Sequence, residues 1–195
     1  TEFGDYVFCN CTRLKHAVLK CPLSTLPAGT FAGCTSLESF ECPDTITSIG
    51  KMCFYESGLR HFSMPASVRY IDDCAFARCR NLEKVSLPSY TRSIGSASFL
   101  ECEQLEEVIL PDSLQYLGNG AFTQCMKLRR VSIAADNPNF FDIEGVLADS
   151  SAAEKRRVCV GAVVAGVDDL LAARDIFPVL VVQVVYYAEK QPHKE

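Results

Sequence analysis

The sequence predicts an α/β solenoid, with a parallel sheet along one side and short helices or extended segments along the other. Three observations carry that expectation. Phenylalanine recurs at Phe31, Phe54, Phe76, Phe99 and Phe122, each seventeen residues after a leucine (Leu14, Leu37, Leu59, Leu82 and Leu105). Those leucines are spaced by 23 residues, with a single interval of 22. The fullest copy reads Leu105-x-x-Val108-x-Leu110-Pro111-x-x-Leu114-x-x-Leu117-Gly118-x-x-Ala121-Phe122-x-x-Cys125-x-x-Leu128. A fixed period of this length means stacked units, because one such unit cannot bury its apolar side alone.

Each unit opens with Leu-x-x-Val-x-Leu, which alternates in and out and predicts a short strand. Proline stops it at Pro43, Pro65, Pro88 and Pro111, where it cannot donate to a ladder and sets the turn. The first copy has Lys20 at that site, with Pro22 two places later. A second apolar pair follows (Ile46 and Ile49, Val68 and Ile71, Leu114 and Leu117), then Gly50, Gly95 or Gly118 to turn the chain. Ala-Phe-x-x-Cys-x-x-Leu has the spacing of one or two helical turns, too short to stand without packing. Residues 6 to 14 hold a partial copy, and Leu128-x-x-Val131-x-Ile133 begins a sixth before the pattern departs.

The eleven cysteines resemble a disulfide framework until they are placed in the repeat. Cys11, Cys34, Cys79, Cys102 and Cys125 each fall three residues after a phenylalanine, with Ser57 in the short copy. They form one column of buried thiols, pointing the same way, and the odd total argues against complete pairing. A disulfide among Cys9, Cys21, Cys42, Cys53, Cys74 and Cys159 stays open, and with it the redox compartment.

Composition bounds the partners. The chain has 195 residues, 48% hydrophobic and 22% charged, with net charge −5 and pI about 5.3. That is a globular balance, and the acidity argues against nucleic acid and anionic membranes. No stretch reads as a membrane span, since the apolar tail from Ile176 to Ala188 is short and interrupted by Pro178 and Gln183. The first residue is Thr1 and no signal-like segment follows.

These residues resemble the Treponema-type, or BspA-like, leucine-rich-repeat family, over residues 6 to about 135. The resemblance implies a right-handed curved leucine-rich-repeat solenoid, a protein-binding or adhesion role, and a bacterial cell-envelope setting, periplasmic or surface-exposed. It implies no catalytic activity and no cofactor. The segment Asn137-Pro138-Asn139-Phe140…Glu144-Gly145-Val146-Leu147 is similar to the family's insert, a hairpin after an Asn-Pro-x-Phe turn. The chain then divides into a solenoid over 1–135, a hairpin-like insert over 136–160, in which Arg156 to Val160 offers a return strand, and an irregular apolar region over 161–195. In that last region 162–173 reads weakly as helix and 179–187 as strand.

Strand residues between core positions are expected on the concave face. This gives His16, Ser39, His61, Lys84, Glu107 and Arg130 in one column, and Val18, Glu41, Ser63, Ser86, Ile109 and Ser132 in the next. With the adjacent column (Lys15, Glu38, Arg60, Glu83, Glu106, Arg129), the face holds five basic and five acidic residues and no aromatic. It is either a solvated sheet face or a site for a protein ligand whose identity the sequence does not give. The apolar tail offers a second candidate: Phe177, Val179, Val181, Val182, Val184, Tyr186 and Tyr187 either cover the last coil or pair with another copy as a homo-oligomer. Catalysis has little support. His16 and His61 lie two coils apart, too far to share a metal directly. No Cys-x-x-Cys pair, P-loop or Gly-x-Gly-x-x-Gly is present, and Asp168-Asp169 has no companion ligands.

Overall fold

In the computed structural model of the chain, residues 3–133, 137–143 and 146–149 are described. They build a stack of parallel coils with two strand columns. The longer strands are β1 (His16–Val18), β3 (Ser39–Glu41), β5 (His61–Ser63), β7 (Lys84–Ser86), β9 (Glu107–Leu110) and β11 (Arg130–Ile133). They pair in parallel as β1 with β3, β5 with β7, and β9 with β11, keeping repeat positions in register. β3, β5 and β7 each bury the central residue and expose the two flanking ones, as in Ser39-Phe40-Glu41, and β9 alternates in the same way, while the inward Ala17 of β1 and Val131 of β11 are half-buried.

The second column holds two-residue strands after the proline turn: β2 (Thr25–Leu26), β4 (Ser48–Ile49), β6 (Tyr70–Ile71), β8 (Ser93–Ile94) and β10 (Tyr116–Leu117). They form one continuous five-stranded parallel sheet. The second residue of each points into the core, so the apolar pair of the repeat serves this sheet.

The segment around each phenylalanine differs from expectation. Among the described residues no helix forms, and Ala-Phe-x-x-Cys is a run of tight turns. Two positions before and two after each phenylalanine the backbone is left-handed: Met52 and Glu56 flank Phe54, Cys74 and Arg78 flank Phe76, Ala97 and Glu101 flank Phe99. Glycine takes this role at Gly29, Gly33 and Gly120. A left-handed residue breaks a helix, at about 1–2 kcal/mol for an L-residue. In exchange, alternate amides turn out of the coil and reach the next one: Phe31 N–H donates to the Cys53 carbonyl at 2.7 Å, Phe54 to Ala75 at 2.7 Å, Phe76 to Ser98 at 2.7 Å and Phe99 to Ala121 at 2.8 Å. The amides two residues to either side do likewise, giving three bonds at each of five junctions, every one running from the earlier coil to the later.

Inside this ladder the phenylalanine rings stack face to face. Phe8, Phe31, Phe54, Phe76, Phe99 and Phe122 lie 5.1–5.5 Å from their neighbours with interplanar angles of 2–15°. Phe31 to Phe122 are fully buried. Burial contributes about 1.5–3 kcal/mol per ring, and offset stacking about 0.5–1.5 kcal/mol per pair. Phe40 and Phe62 pack against the stack from the longer strands, tilted by about 50°.

The repeat glycines serve close approach. Gly50 and Gly95 carry no positive φ, so turning the chain is not their role. A Cβ on Gly50 would lie 2.7 Å from the Leu26 carbonyl oxygen, one on Gly95 2.5 Å from Asp72 backbone, and one on Gly118 would overlap Ser96 and Gly95 backbone. Coil-to-coil contact at the end of the second strand leaves no room for a side chain.

After the fifth coil, Asn137 closes the second column. Hydroxyls of Thr45, Ser67 and Ser113 each donate to a carbonyl of the coil before, at 2.6–2.7 Å. The Asn137 amide donates to the Pro111 and Leu114 carbonyls at 2.9 and 3.0 Å, while its oxygen accepts from the Asn139 and Phe140 amides. β12 (Phe140–Ile143) then pairs antiparallel with β13 (Val146–Asp149). The strand partner of β12 is therefore close in sequence, and the segment 156–160 lies outside the described residues.

Two substitutions test this packing. Phe99→Ala removes an inner ring of the unbroken stack and is expected to cost about 3–5 kcal/mol, read as a lower denaturation midpoint. Ser98 is fully buried and its hydroxyl has no hydrogen-bond partner, while Ala75 and Ala121 fill the same position in adjacent coils. Ser98→Ala is expected to raise stability by about 1 kcal/mol, the release of an unsatisfied polar group. A fall of that size would show that the hydroxyl is satisfied in solution.

Candidate functional site

The alternation of the longer strands places one residue inward and its neighbours outward. Outward positions of adjacent coils sit opposite one another: His16 by Ser39, His61 by Lys84, Ser63 by Ser86, Glu107 by Arg130, and Ile109 by Ser132. All twelve residues that the two strand columns of the repeat are expected to turn outward lie on these strands, eleven exposed and Ser132 half-buried. The tail residues Phe177, Val179, Val181, Val182, Val184, Tyr186 and Tyr187 lie outside the described residues.

The face is a charged grid with few internal bonds. His16 Nδ1 and Ser39 Oγ are 2.9 Å apart, and His61 Nε2 lies 3.9 Å from Glu83 Oε2. Glu107 and Arg130 are in register, yet among the described residues no ion pair joins them. Both charges stay open to an incoming group. The ion pairs that do form cluster on the turn side, where Arg78 bridges Glu56 at 3.0 Å and Glu101 at 3.3 Å, and Arg80 reaches Glu101 and Glu103 at 3.2 Å.

One irregularity in the repeat shapes the edge of this face. Between Cys34 and Leu37 stand two residues, but between Ser57 and Leu59 stands only Gly58. A notch of about 540 Å³ opens there, lined by Lys15, Thr35, Ser36, Glu38, Gly58, Arg60 and Asn81. A Cβ on Gly58 would overlap the Thr35 carbonyl, so the short copy depends on glycine to close against its neighbour. The sequence shows the 22-residue interval but not the hollow it leaves.

The cysteines of the repeat column are not presented as nucleophiles. The ten described cysteines are all unbridged, and those of the buried column donate their S–H to the phenylalanine carbonyl of the preceding coil: Cys34 to Phe8 at 3.0 Å, Cys79 to Phe54 at 3.0 Å, Cys102 to Phe76 at 3.2 Å and Cys125 to Phe99 at 3.1 Å. Burial pushes the Cys34 thiol up to about 11 and those of Cys42 and Cys79 up to about 12, and raises Cys53 and Cys102 as well. A thiolate is the reactive form, so these groups are inert near neutral pH. Among the described residues no cluster of His, Cys, Asp and Glu is arranged to hold a metal, and no helix is long and apolar enough to cross a membrane.

With this geometry established, a family model described as the BspA type leucine rich repeat region matches residues 1–138 in six copies. The chain belongs to the BspA-type leucine-rich-repeat family. Solved relatives include a T. pallidum leucine-rich-repeat protein, 30% identical with a TM-score of 0.59, covering 61% of this chain and 58% of that one. A leucine-rich repeat protein from Bacteroides ovatus ATCC 8483 is 28% identical with a TM-score of 0.56, covering 62% and 37%. A leucine rich cell surface protein from Faecalibacterium prausnitzii A2-165 shares the fold at 24% identity and a TM-score of 0.58, covering 77% and 46%. The chain thus spans 37–58% of the length of these three structures. No curated protein matches it significantly.

The thiol column gives a pH prediction. Folding raises these pKa values above the ordinary value near 9, so the neutral thiols contribute full stability below pH 9. That contribution is expected to fall as pH rises through 11 to 12, seen as a falling denaturation midpoint. In the native protein at pH 8, iodoacetamide is expected to label exposed Cys21 while Cys34, Cys53, Cys79 and Cys102 react only on unfolding, as peptide mass spectrometry would show.

Proposed function

We propose that this chain is a non-enzymatic protein-binding module that works through the concave strands, in a protein exposed at the bacterial cell envelope. The observation that carries the reading is the grid of outward side chains held in register by parallel strands, with Glu107 and Arg130 adjacent and without an ion pair among the described residues. Backbone pairing of the strands fixes such groups in advance, so little ordering entropy is lost when a partner docks. Its charge pattern favours partner selection and association rate over bulk affinity, since Ile109 is the one large apolar side chain on the face more than 60% exposed.

The binding positions proposed are Ser39, Glu41, His61, Ser63, Lys84, Ser86, Glu107, Ile109, Arg130 and Ser132. The envelope setting is supported by the family and by fold neighbours named as a cell surface protein and as the pneumococcal vaccine antigen PcpA. Adhesion is the form of binding that setting favours.

The test is affinity capture from cell-surface extracts with the immobilised protein and its Glu107→Lys, Arg130→Glu double variant. The double variant is expected to keep its circular dichroism and weaken capture of the partner by about tenfold. Equal capture by both would remove the concave strands from the binding surface.

A further inference from the structure

The exposed aromatic residues missing from the outward positions of the longer strands stand on or beside the other sheet. Tyr70, Tyr90 and Tyr116 are 46%, 62% and 54% exposed. Tyr70 and Tyr116 occupy the outward position of β6 and β10, and Ser93 of β8 lies between them in register with both. Arg69 and Arg92 precede the same strands on adjacent coils, joined through the Arg92 N–H and the Arg69 carbonyl at 2.8 Å. Arg69 lies over the Tyr90 ring, 5.0 Å from its centroid, a cation–π contact that holds the tyrosine upright. The Arg92 side chain is exposed and makes no hydrogen bond or ion pair among the described residues.

This strip is cationic on a chain of net charge −5. Its outward positions over coils two to five are Ser48, Tyr70, Ser93 and Tyr116, preceded by Thr47, Arg69, Arg92 and Gln115, with no carboxylate among them. The charge selects an anionic ligand, and the spacing selects its backbone. Neighbouring strands are about 4.8 Å apart, so Tyr70 and Tyr116 repeat at about 10 Å, whereas an extended polypeptide returns each face after about 6.7 Å. An extended β-linked hexose chain advances by close to one strand spacing per sugar and shows the same ring face at every second sugar. Its rings can lie on alternate tyrosines, leaving the intervening sugar over small Ser93 beside Arg92.

We propose that the five-stranded sheet carries a binding strip for an anionic β-linked polysaccharide, with Tyr70 and Tyr116 as ring platforms and Arg92 as the partner of a sugar carboxylate. The strip is separate from the concave strands, so variants on either leave the other intact.

The experiment is calorimetric titration of the whole chain with hyaluronan hexasaccharide, neutral chitohexaose and a hexaglutamate peptide. Hyaluronan hexasaccharide is expected to bind, and Tyr70→Ser and Tyr116→Ser each to weaken it by about tenfold. Arg92→Gln is expected to abolish the preference for hyaluronan hexasaccharide over chitohexaose. Serine is what Ser48 and Ser93 already place at this position, so these variants keep the fold, which an unchanged Tm verifies. Failure of hyaluronan hexasaccharide to bind, equal binding of hexaglutamate, or tyrosine variants that bind like the unaltered chain would each overturn the proposal.

Discussion

Everything in this solenoid depends on how the backbone is carried past each phenylalanine. A ring that stacks 5.1–5.5 Å from its neighbour requires backbones to approach at strand spacing, and a helix is too wide for that. The left-handed residues on either side flatten the segment and aim alternate amides at the next coil. Among the described residues nine non-glycine residues adopt that conformation, which is unfavourable for an L-residue. The coil-to-coil hydrogen bonds and the buried rings outweigh the strain together, since neither forms without the other. A 23-residue unit in isolation has no partner for those amides, which is why order belongs to the stack.

The same coupling explains how much was legible in the residues. Phe31 to Phe122, the Cys34–Cys125 column and the Leu-x-x-Val-x-Leu strands follow from period and polarity alone. The turn conformation does not, because Ala-Phe-x-x-Cys has helical spacing and the left-handed positions hold Met52, Cys74, Ala97, Glu56, Arg78 and Glu101, residues with no common chemistry. Gly29, Gly33, Gly120 and Asn10 were the available signal, since these types tolerate positive φ. Gly50, Gly95 and Gly118 were visible as glycines, but proximity of the preceding backbone is a property of neighbouring coils and is not written in any one copy.

The surfaces divide in the same way. Strand alternation places the outward residues of the longer strands, since a one-residue slip would bury Glu107 and expose Val108. The Tyr70–Tyr116 strip escaped notice because its strands are two residues long and present a single outward position each, too little for a period to show. The notch beside Gly58 required two copies to be compared in space, where one missing residue becomes a hollow lined by Lys15, Glu38 and Arg60.

The turn-side ladder sets a direction that the sheets do not share. In the longer strands donors point both ways, with Glu38 N–H reaching back to Lys15 and Leu19 N–H reaching forward to Glu41, so their peptide dipoles largely cancel. Around the phenylalanines the alternate amides that leave the coil all point forward, and those dipoles add as they do in a helix. The column is therefore polar along the stack, its N–H groups facing the later coils and its carbonyls the earlier ones.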